Sequence, residues 1–454
     1  MSARPAFASL VPPPSMSGLP ARIGKYRVLA KLGEGATSEV YLAEDEFAGR
    51  QVAIKRVREA GPVDSIENHY REHFFAAEAA LAGKLQHPNV VQIFDAVAHL
   101  PQPYLVMEHV PGCTLRRFCQ LDALLSLAQI VEIGFKCAMA LGYVARQGLI
   151  HRDVKPANIL ATLNNDLVTD VKISDFGSVF DQGSDRTQVF RVGSLAYMAP
   201  EQLDGSTLDA RADMYSLAAV LYHLIAGRPP FTAANQVALM HQIYHAQPPH
   251  LASLRAGVPP RMAELLLQAL AKRPEDRFAD WDSFAQAWSQ LVTHGEVPVG
   301  RLQDVLDSER FNLLRSLEFF NGFGEVELWE VVHRAQWLRH AYGEALFRKG
   351  ETGNSFHIMA QGRVDVYRDG LRVAQLGVGT SVGEMAYLAP SEDLRQHSAD
   401  VLVSVPATTV SFTPAAMSNL SPNTRHLFDA SFIRVLVRRL HAAHESLAHP
   451  RRIL

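Results

Sequence analysis

His151-Arg152-Asp153-Val154-Lys155-Pro156-Ala157-Asn158, followed seventeen positions on by Asp175-Phe176-Gly177, is the stretch whose reading decides this chain. Moving a phosphoryl group takes a carboxylate to orient the incoming hydroxyl, a cation beside the γ-phosphate and oxygen ligands for a divalent ion. Asp153, Lys155, Asn158 and Asp175 supply those groups within one short run. Upstream, Ile23 to Val57 reads as strand, glycine turn, strand, strand, with the turn at Gly33-Glu34-Gly35-Ala36-Thr37-Ser38-Glu39-Val40. Glycines there let backbone amides come close to a phosphate with no side chain between. Val52-Ala53-Ile54-Lys55 follows with strand alternation.

These motifs, in this order, resemble the eukaryotic-type (Hanks-type) serine/threonine protein kinase family. The resemblance implies a two-lobed fold that binds ATP and Mg²⁺ or Mn²⁺ and phosphorylates protein substrates. It implies that Gly33, Glu34, Gly35, Val40, Ala53 and Lys55 line the ATP site. Lys55 would reach the α- and β-phosphates and be held by a helix carboxylate. Glu67, Glu72 and Glu78 all qualify by residue type. Glu78 is chosen because the family places this residue a few turns before a His-Pro-Asn turn, here His87-Pro88-Asn89. Tyr104 to Val110 resembles the hinge between the lobes, with Met107 as gatekeeper and the backbone of Glu108 and Val110 for adenine. Asp153, Lys155 and Asn158 carry over as catalytic residues, and Asn158 with Asp175 as the metal ligands. Lys155-Pro156-Ala157-Asn158 resembles the serine/threonine branch. Ser184 and Thr187 are the phosphosite candidates of the activation segment, with Arg152 as the cation to clamp a phosphate. Glu201 with Arg277, and Asp213 beneath the catalytic loop, are expected to be structural.

Beyond Ala341 the texture changes: glycines recur at 343, 350, 353, 362, 370, 377, 379 and 383 between short apolar runs, and Asp369-Gly370 marks a tight hairpin. Gly350, Gly353, Phe356-His357-Ile358 and Val382-Gly383-Glu384-Met385-Ala386-Tyr387-Leu388 resemble the cyclic-nucleotide-binding domain family. That resemblance implies a β-roll or jelly roll with flanking helices, Glu384 on a ribose hydroxyl, and Gly383, Met385 and Ala386 around a cyclic phosphate. The family's phosphate-binding arginine is replaced, since the segment reads His397-Ser398-Ala399-Asp400-Val401. Histidine is only partly charged near neutrality and forms no bidentate fork; Arg395 is the nearby substitute. Two readings stay open: a sensor for cAMP or cGMP, weakened at this position, or a ligand-free module that recruits partners. Ile433, Leu436, Val437, Leu440 and Ala443 share one helical face, with Arg434, Arg438 and Arg439 elsewhere on it. The resemblance implies that such a helix is a lid on the ligand site; a homodimer contact is the other reading of its apolar face.

The organisation expected is therefore α+β: a tail at 1–23, a kinase domain at 24–292, a linker at 293–310 and a cyclic-nucleotide-binding-like domain at 311–447. A length of 454 residues agrees with two or three domains. A net charge of −3 gives no general attraction to nucleic acid or anionic membrane. Cys113, Cys119 and Cys137 form no CxxC pair and read as reduced thiols. The N-terminus lacks a long apolar run, and Met214 to Ala226 is short for a span and reads as a buried helix. A cytoplasmic, bacterial protein is the expectation.

Overall fold

The computed structural model describes the chain except for residues 1–18, 36–37, 59–74, 99–101, 165–166, 177–179, 182–194, 300–305, 392–393 and 449–454. Gly177, Ser184, Thr187, Glu67 and Glu72 lie outside the described residues. The chain divides into two compact units, Met1–Arg301 and Leu302–Leu454.

The first unit opens with an antiparallel sheet of β1 (Arg22–Ile23), β2 (Tyr26–Glu34), β3 (Ser38–Asp45), β4 (Arg50–Val57), β5 (Ile93–Val97) and β6 (Tyr104–Glu108), in the order β1-β2-β3-β4-β6-β5. The alternating residues of β4 explain its central place: Val52 and Ile54 are fully buried and pack with Tyr26, Tyr41, Tyr104 and Val106 on one face. Lys55 lies on the opposite face of the same strand, so the period of two that builds the core also aims the lysine away from it.

The helical part of this unit centres on Leu127–Arg146 and Arg211–Ala226. The first starts with a reciprocal Ser126–Gln129 capping box. Its Gly134 and Gly142 lie where a Cβ would overlap Trp288 and Trp281, so two glycines let the helix Trp281–Thr293 pack close. Among the described residues, Leu127–Arg146 is the one helix long and apolar enough to cross a membrane, and most of it is buried within its own unit. Arg211–Ala226 is buried nearly throughout and ends at Gly227, at φ +69°. Small ladders carry the chemistry: β7 (Gly112–Thr114), β9 (Ile159–Asn164) and β10 (Leu167–Ile173) form one, and β8 (Leu149–Ile150) with β11 (Phe180–Asp181) forms another. They pin both ends of the segment from His151 to Asp175. The three cysteines are unpaired thiols.

The second unit is an antiparallel roll flanked by helices. It comprises β12 (Gln336–His340), β13 (Ala345–Phe347), β14 (Phe356–Arg368), β15 (Leu371–Leu376), β16 (Ser381–Val382) and β17 (Asp400–Phe412). The order is β12-β17-β14-β15, with β13 on β17 and β16 on β14. Asp369 and Gly370, at φ +52° and +79°, turn β14 into β15, with Arg368 opposite Leu371. Helices Asp307–Ser316, Glu325–Arg334 and Pro422–Ala448 flank the roll. Phe319, Phe356, Phe412, Phe428 and Phe432 stack between the long strands and the last helix. The first helix begins at Asp307, upstream of the boundary expected at Phe311, because its first turn is polar, with Asp307 and Glu309 suiting the positive end of the helix dipole.

Candidate functional site

In the first unit β4 delivers Lys55 to the carboxylates of Glu78 and Asp175. Its Nζ lies 2.8 Å from both Glu78 oxygens and 2.7 Å from Asp175 Oδ1. Residues 75–79 are helical, and the pattern that buries Phe75 and Leu81 also buries Glu78. Burial alone would lower the Lys55 pKa, but the two carboxylates outweigh it and raise it, so the ammonium stays charged. Burial also raises the Glu78 carboxyl pKa, against the opposing pull of the Lys55 ammonium.

The catalytic segment is held from below. Asp213, buried at the start of its helix, accepts the backbone N–H groups of His151 and Arg152 at 2.7 and 2.8 Å. Those bonds support the unusual φ of +66° at Arg152. His151 is fully buried, bonds to the Ser174 carbonyl through Nε2 at 3.0 Å and packs against Phe176. Asp175 shares the φ of +66°, which turns its carboxylate toward Lys55. Above this base Lys155 donates to Asp153 Oδ2 at 2.6 Å, and Asn158 Nδ2 donates to the same oxygen at 3.1 Å and to the Asp153 carbonyl at 2.9 Å. Lys55, Glu78 and Asp175 therefore form one set of contacts, and Asp153, Lys155 and Asn158 form a second. Ser174, whose N–H and hydroxyl both bond to the Asn158 carbonyl, was missed by sequence reasoning. Its position just before Asp175 was the available signal.

The remaining nucleotide-site candidates border the cleft strands. Gly33 pairs with Val40 across the β2–β3 turn, and the Gly35 N–H closes that turn on the Ser38 carbonyl at 2.8 Å. A Cβ on Gly33 would meet nothing within 4 Å, so no neighbouring protein atom demands glycine there. Ala53 faces Met107 across β4 and β6. The Glu108 N–H donates to the Gln92 carbonyl at 2.8 Å, so of its two backbone groups the carbonyl is the one that fits the adenine contact expected there. Glu34 instead holds Lys31. Glu201 and Arg277 form a two-pronged buried pair at 2.6 and 2.8 Å, away from the chemistry.

Residues 26–294 match the protein kinase domain model, and residues 338–421 match the cyclic nucleotide-binding domain model. The chain belongs to the protein kinase domain family. Among its curated relatives, serine/threonine-protein kinase PknB of Mycolicibacterium smegmatis is 36% identical over 299 residues, covering 64% of this chain and 46% of that protein. The Mycobacterium tuberculosis protein of the same name is 35% identical over 301 residues, with the same coverage. A probable serine/threonine-protein kinase of Streptomyces coelicolor is 36% identical over 267 residues, 57% of this chain and 38% of that protein. The chain spans half or less of the length of these relatives.

The cyclic-nucleotide-binding-like unit contains a pocket of about 640 Å³. Gly383, at φ +86° and packed under Phe347, starts the short helix Glu384–Tyr387 on the pocket wall. Met385, Ala386, His397 and Ser398 also line it. Arg395 does not; its carbonyl accepts the Gly353 N–H, and its side chain is off the wall. Asp400 is off the wall too, and its carboxylate accepts the Lys349 N–H at 2.9 Å. The cation that does line the pocket is Arg439, from the final helix. It pairs with Glu384 Oε1 and donates to the Ser381 carbonyl at 2.7 Å. Sequence reasoning put Arg439 off the apolar face and missed it, although Leu436, one turn earlier, lines the same pocket.

Proposed function

We propose that the first unit transfers the γ-phosphate of ATP to serine or threonine hydroxyls of protein substrates. The observation that carries this reading is Lys55 gripped by Glu78 and Asp175 beside an Asp153 that Lys155 and Asn158 hold in place. The Glu108 carbonyl and the Val110 N–H bind adenine beneath Met107, and the backbone of Gly33 to Gly35 covers the phosphates. Lys55 orients the α- and β-phosphates because Glu78 fixes its rotamer. Asp153 aligns the acceptor hydroxyl and takes its proton, while Lys155 neutralises charge at the transferred group. Asn158 and Asp175 offer an amide oxygen and a carboxylate, the hard donors that fit Mg²⁺ or Mn²⁺. When bound there, the ion neutralises phosphate charge.

The reading is tested with the full chain, labelled ATP and a generic protein substrate such as casein, followed by analysis of the phosphorylated residues. Label on serine or threonine that disappears in Lys55→Met supports it. Equal labelling by Lys55→Met overturns it.

The second unit is read as a sensor that regulates this activity in a cytoplasmic protein, and Ser184 or Thr187 as activating phosphosites clamped by Arg152. Mass spectrometry of autophosphorylated chain checks the phosphosites. Full activity in the Ser184→Ala/Thr187→Ala double variant removes them.

A further inference from the structure

The pocket of the second unit is built against an anion. Its charged side chains are Glu384 and Arg439, and they are spent on each other. At the position where the family resemblance expects a phosphate-binding cation, the His397 ring stacks on Phe347, with ring centroids 4.1 Å apart, and packs so closely on Gly353 that a Cβ there would overlap it. Burial lowers the pKa of this imidazole and favours its neutral form. A neutral ring is thus wedged between an aromatic face and bare backbone. Lys349 and Arg395 belong to the same corner of the fold, and neither lines the pocket.

The remaining wall is mostly apolar, with Phe347, Val366, Leu376, Val382, Val401 and Leu436 among its residues. Ser381 and Glu384 stand among the lining residues as buried polar side chains. Glu384 is 1% exposed and Ser381 fully buried, and neither Glu384 Oε2 nor Ser381 Oγ has a hydrogen-bond partner among the described residues. A buried carboxylate oxygen with no donor is costly. Paired with an apolar wall, it calls for a ligand that brings its own donor.

We propose that this pocket takes an uncharged, largely apolar molecule whose hydroxyl or amino group donates to Glu384 Oε2 beside Ser381 Oγ, in place of an anionic cyclic nucleotide. The volume of about 640 Å³ suits a molecule of two to four fused or linked rings. Glu384 serves as the acceptor that orients the ligand. Arg439 holds that carboxylate in place, and it ties the final helix to the occupied pocket. The proposal rests on the reading of this unit as a ligand sensor.

The test uses the full chain with its kinase cleft saturated with Mg·ADP. Two fluorescent probes share one arylnaphthylamine skeleton and one N–H donor: N-phenyl-1-naphthylamine is neutral, and 1-anilinonaphthalene-8-sulfonate adds a fixed negative charge. The neutral probe is expected to bind saturably at one site per chain, at least tenfold tighter than the sulfonate. Neither cAMP nor cGMP at millimolar concentration should displace it. Glu384→Met removes the acceptor oxygens and releases Arg439, so the preference should move in opposite directions, weaker for the neutral probe and stronger for the sulfonate. Mere damage to the fold would weaken both. Ala386→Leu fills the pocket from its wall and should cost the neutral probe at least tenfold.

Equal affinity for the two probes, displacement by micromolar cAMP or cGMP, no saturable binding of the neutral probe, or wild-type binding by Ala386→Leu each overturns the proposal. The wild-type comparison decides the matter even where a variant does not fold. Autophosphorylation with and without the neutral probe is read separately. Binding that leaves the rate unchanged removes the sensor reading and leaves the ligand chemistry standing.

Discussion

In the cleft of the first unit one lysine is held by two carboxylates, while in the pocket of the second one arginine is held by one. The excess of carboxylate around Lys55 is a resource, because phosphate and a divalent ion can take over those contacts as they arrive. The balance of Glu384 and Arg439 is a closed account by comparison, since neither charge is in surplus. Backbone support differs in the same sense. Asp213 and Ser174 brace the catalytic segment with hydrogen bonds, whereas two buried atoms at the pocket have no partner among the described residues. Under the two proposals, the first site suits a highly charged guest and the second a neutral one.

The largest effect that could break this comparison lies in the cleft. Asp153→Asn keeps the shape of the side chain and its contact with Lys155 but loses the base. It should lower kcat by roughly 10²- to 10⁴-fold with little change in the KM for ATP. Asp175→Asn removes one of the two carboxylates on Lys55, which is also the carboxylate proposed to hold the metal, so it should weaken metal-dependent nucleotide binding as well. Steady-state kinetics and nucleotide titration of both variants separate the two roles. Wild-type turnover in Asp153→Asn would mean that the cleft charges serve some other end.

A difference in acid response sharpens the same contrast. Burial, with His340 and His397 nearby, pushes the His357 imidazole down to about 4 from an ordinary 6.5. Its Nδ1 bonds to Thr409 Oγ1 at 3.1 Å, which also meets His340 at 3.0 Å, and His340 in turn faces Glu344. A depressed folded pKa means that the unfolded chain binds the proton first. The stability contributed by neutral His357 is therefore full above pH 6.5 and lost as pH falls toward 4. The total is about 3 kcal/mol. Calorimetry from pH 7 to pH 4 should show the transition of the second unit falling, and His357→Gln should flatten that slope. An unchanged slope would place the acid sensitivity elsewhere, with His397 next in line because its burial has the same sign.

What could be read from the sequence follows from how local each constraint is. Asp153, Lys155 and Asn158 sit within six consecutive residues, and chemistry dictates both their types and their spacing. Gly370 and Gly383 were legible because left-handed backbone leaves few alternatives to glycine. Glu78 could be picked from three acidic residues by its place before the His87-Pro88-Asn89 turn, and the fold buries it with Phe75 and Leu81. Arg439 gave no such signal. It reaches Glu384 across 55 positions of chain, and apolar periodicity says which side of a helix is greasy without saying which arginine will turn inward. The Arg395 expectation failed for a related reason. Nearness in sequence to His397 does not survive a loop whose backbone bonds to Gly353 and Glu351 fix its course and leave the Arg395 side chain off the pocket wall.

The smallest predicted effect converts one kind of site into the other. His397→Arg places a permanent cation where a neutral ring now lies on Phe347, and a guanidinium can keep the stacking contact. A charge-assisted pair with a cyclic phosphate contributes on the order of 2 kcal/mol, roughly thirtyfold in affinity. Calorimetric titration at pH 8 should show saturable cAMP or cGMP binding in the variant and none in the unmodified chain. Because burial holds His397 below the ordinary histidine range, protonation can aid the unmodified chain only below about pH 6.5, whereas the variant should bind equally from pH 6 to 8. Tight binding by the unmodified chain at pH 8 would require Arg439 to leave Glu384 for the phosphate, and the neutral character assigned to the pocket would fall. No cyclic-nucleotide binding in either form, together with no binding of the neutral probe, would favour the unit as a surface that recruits other proteins.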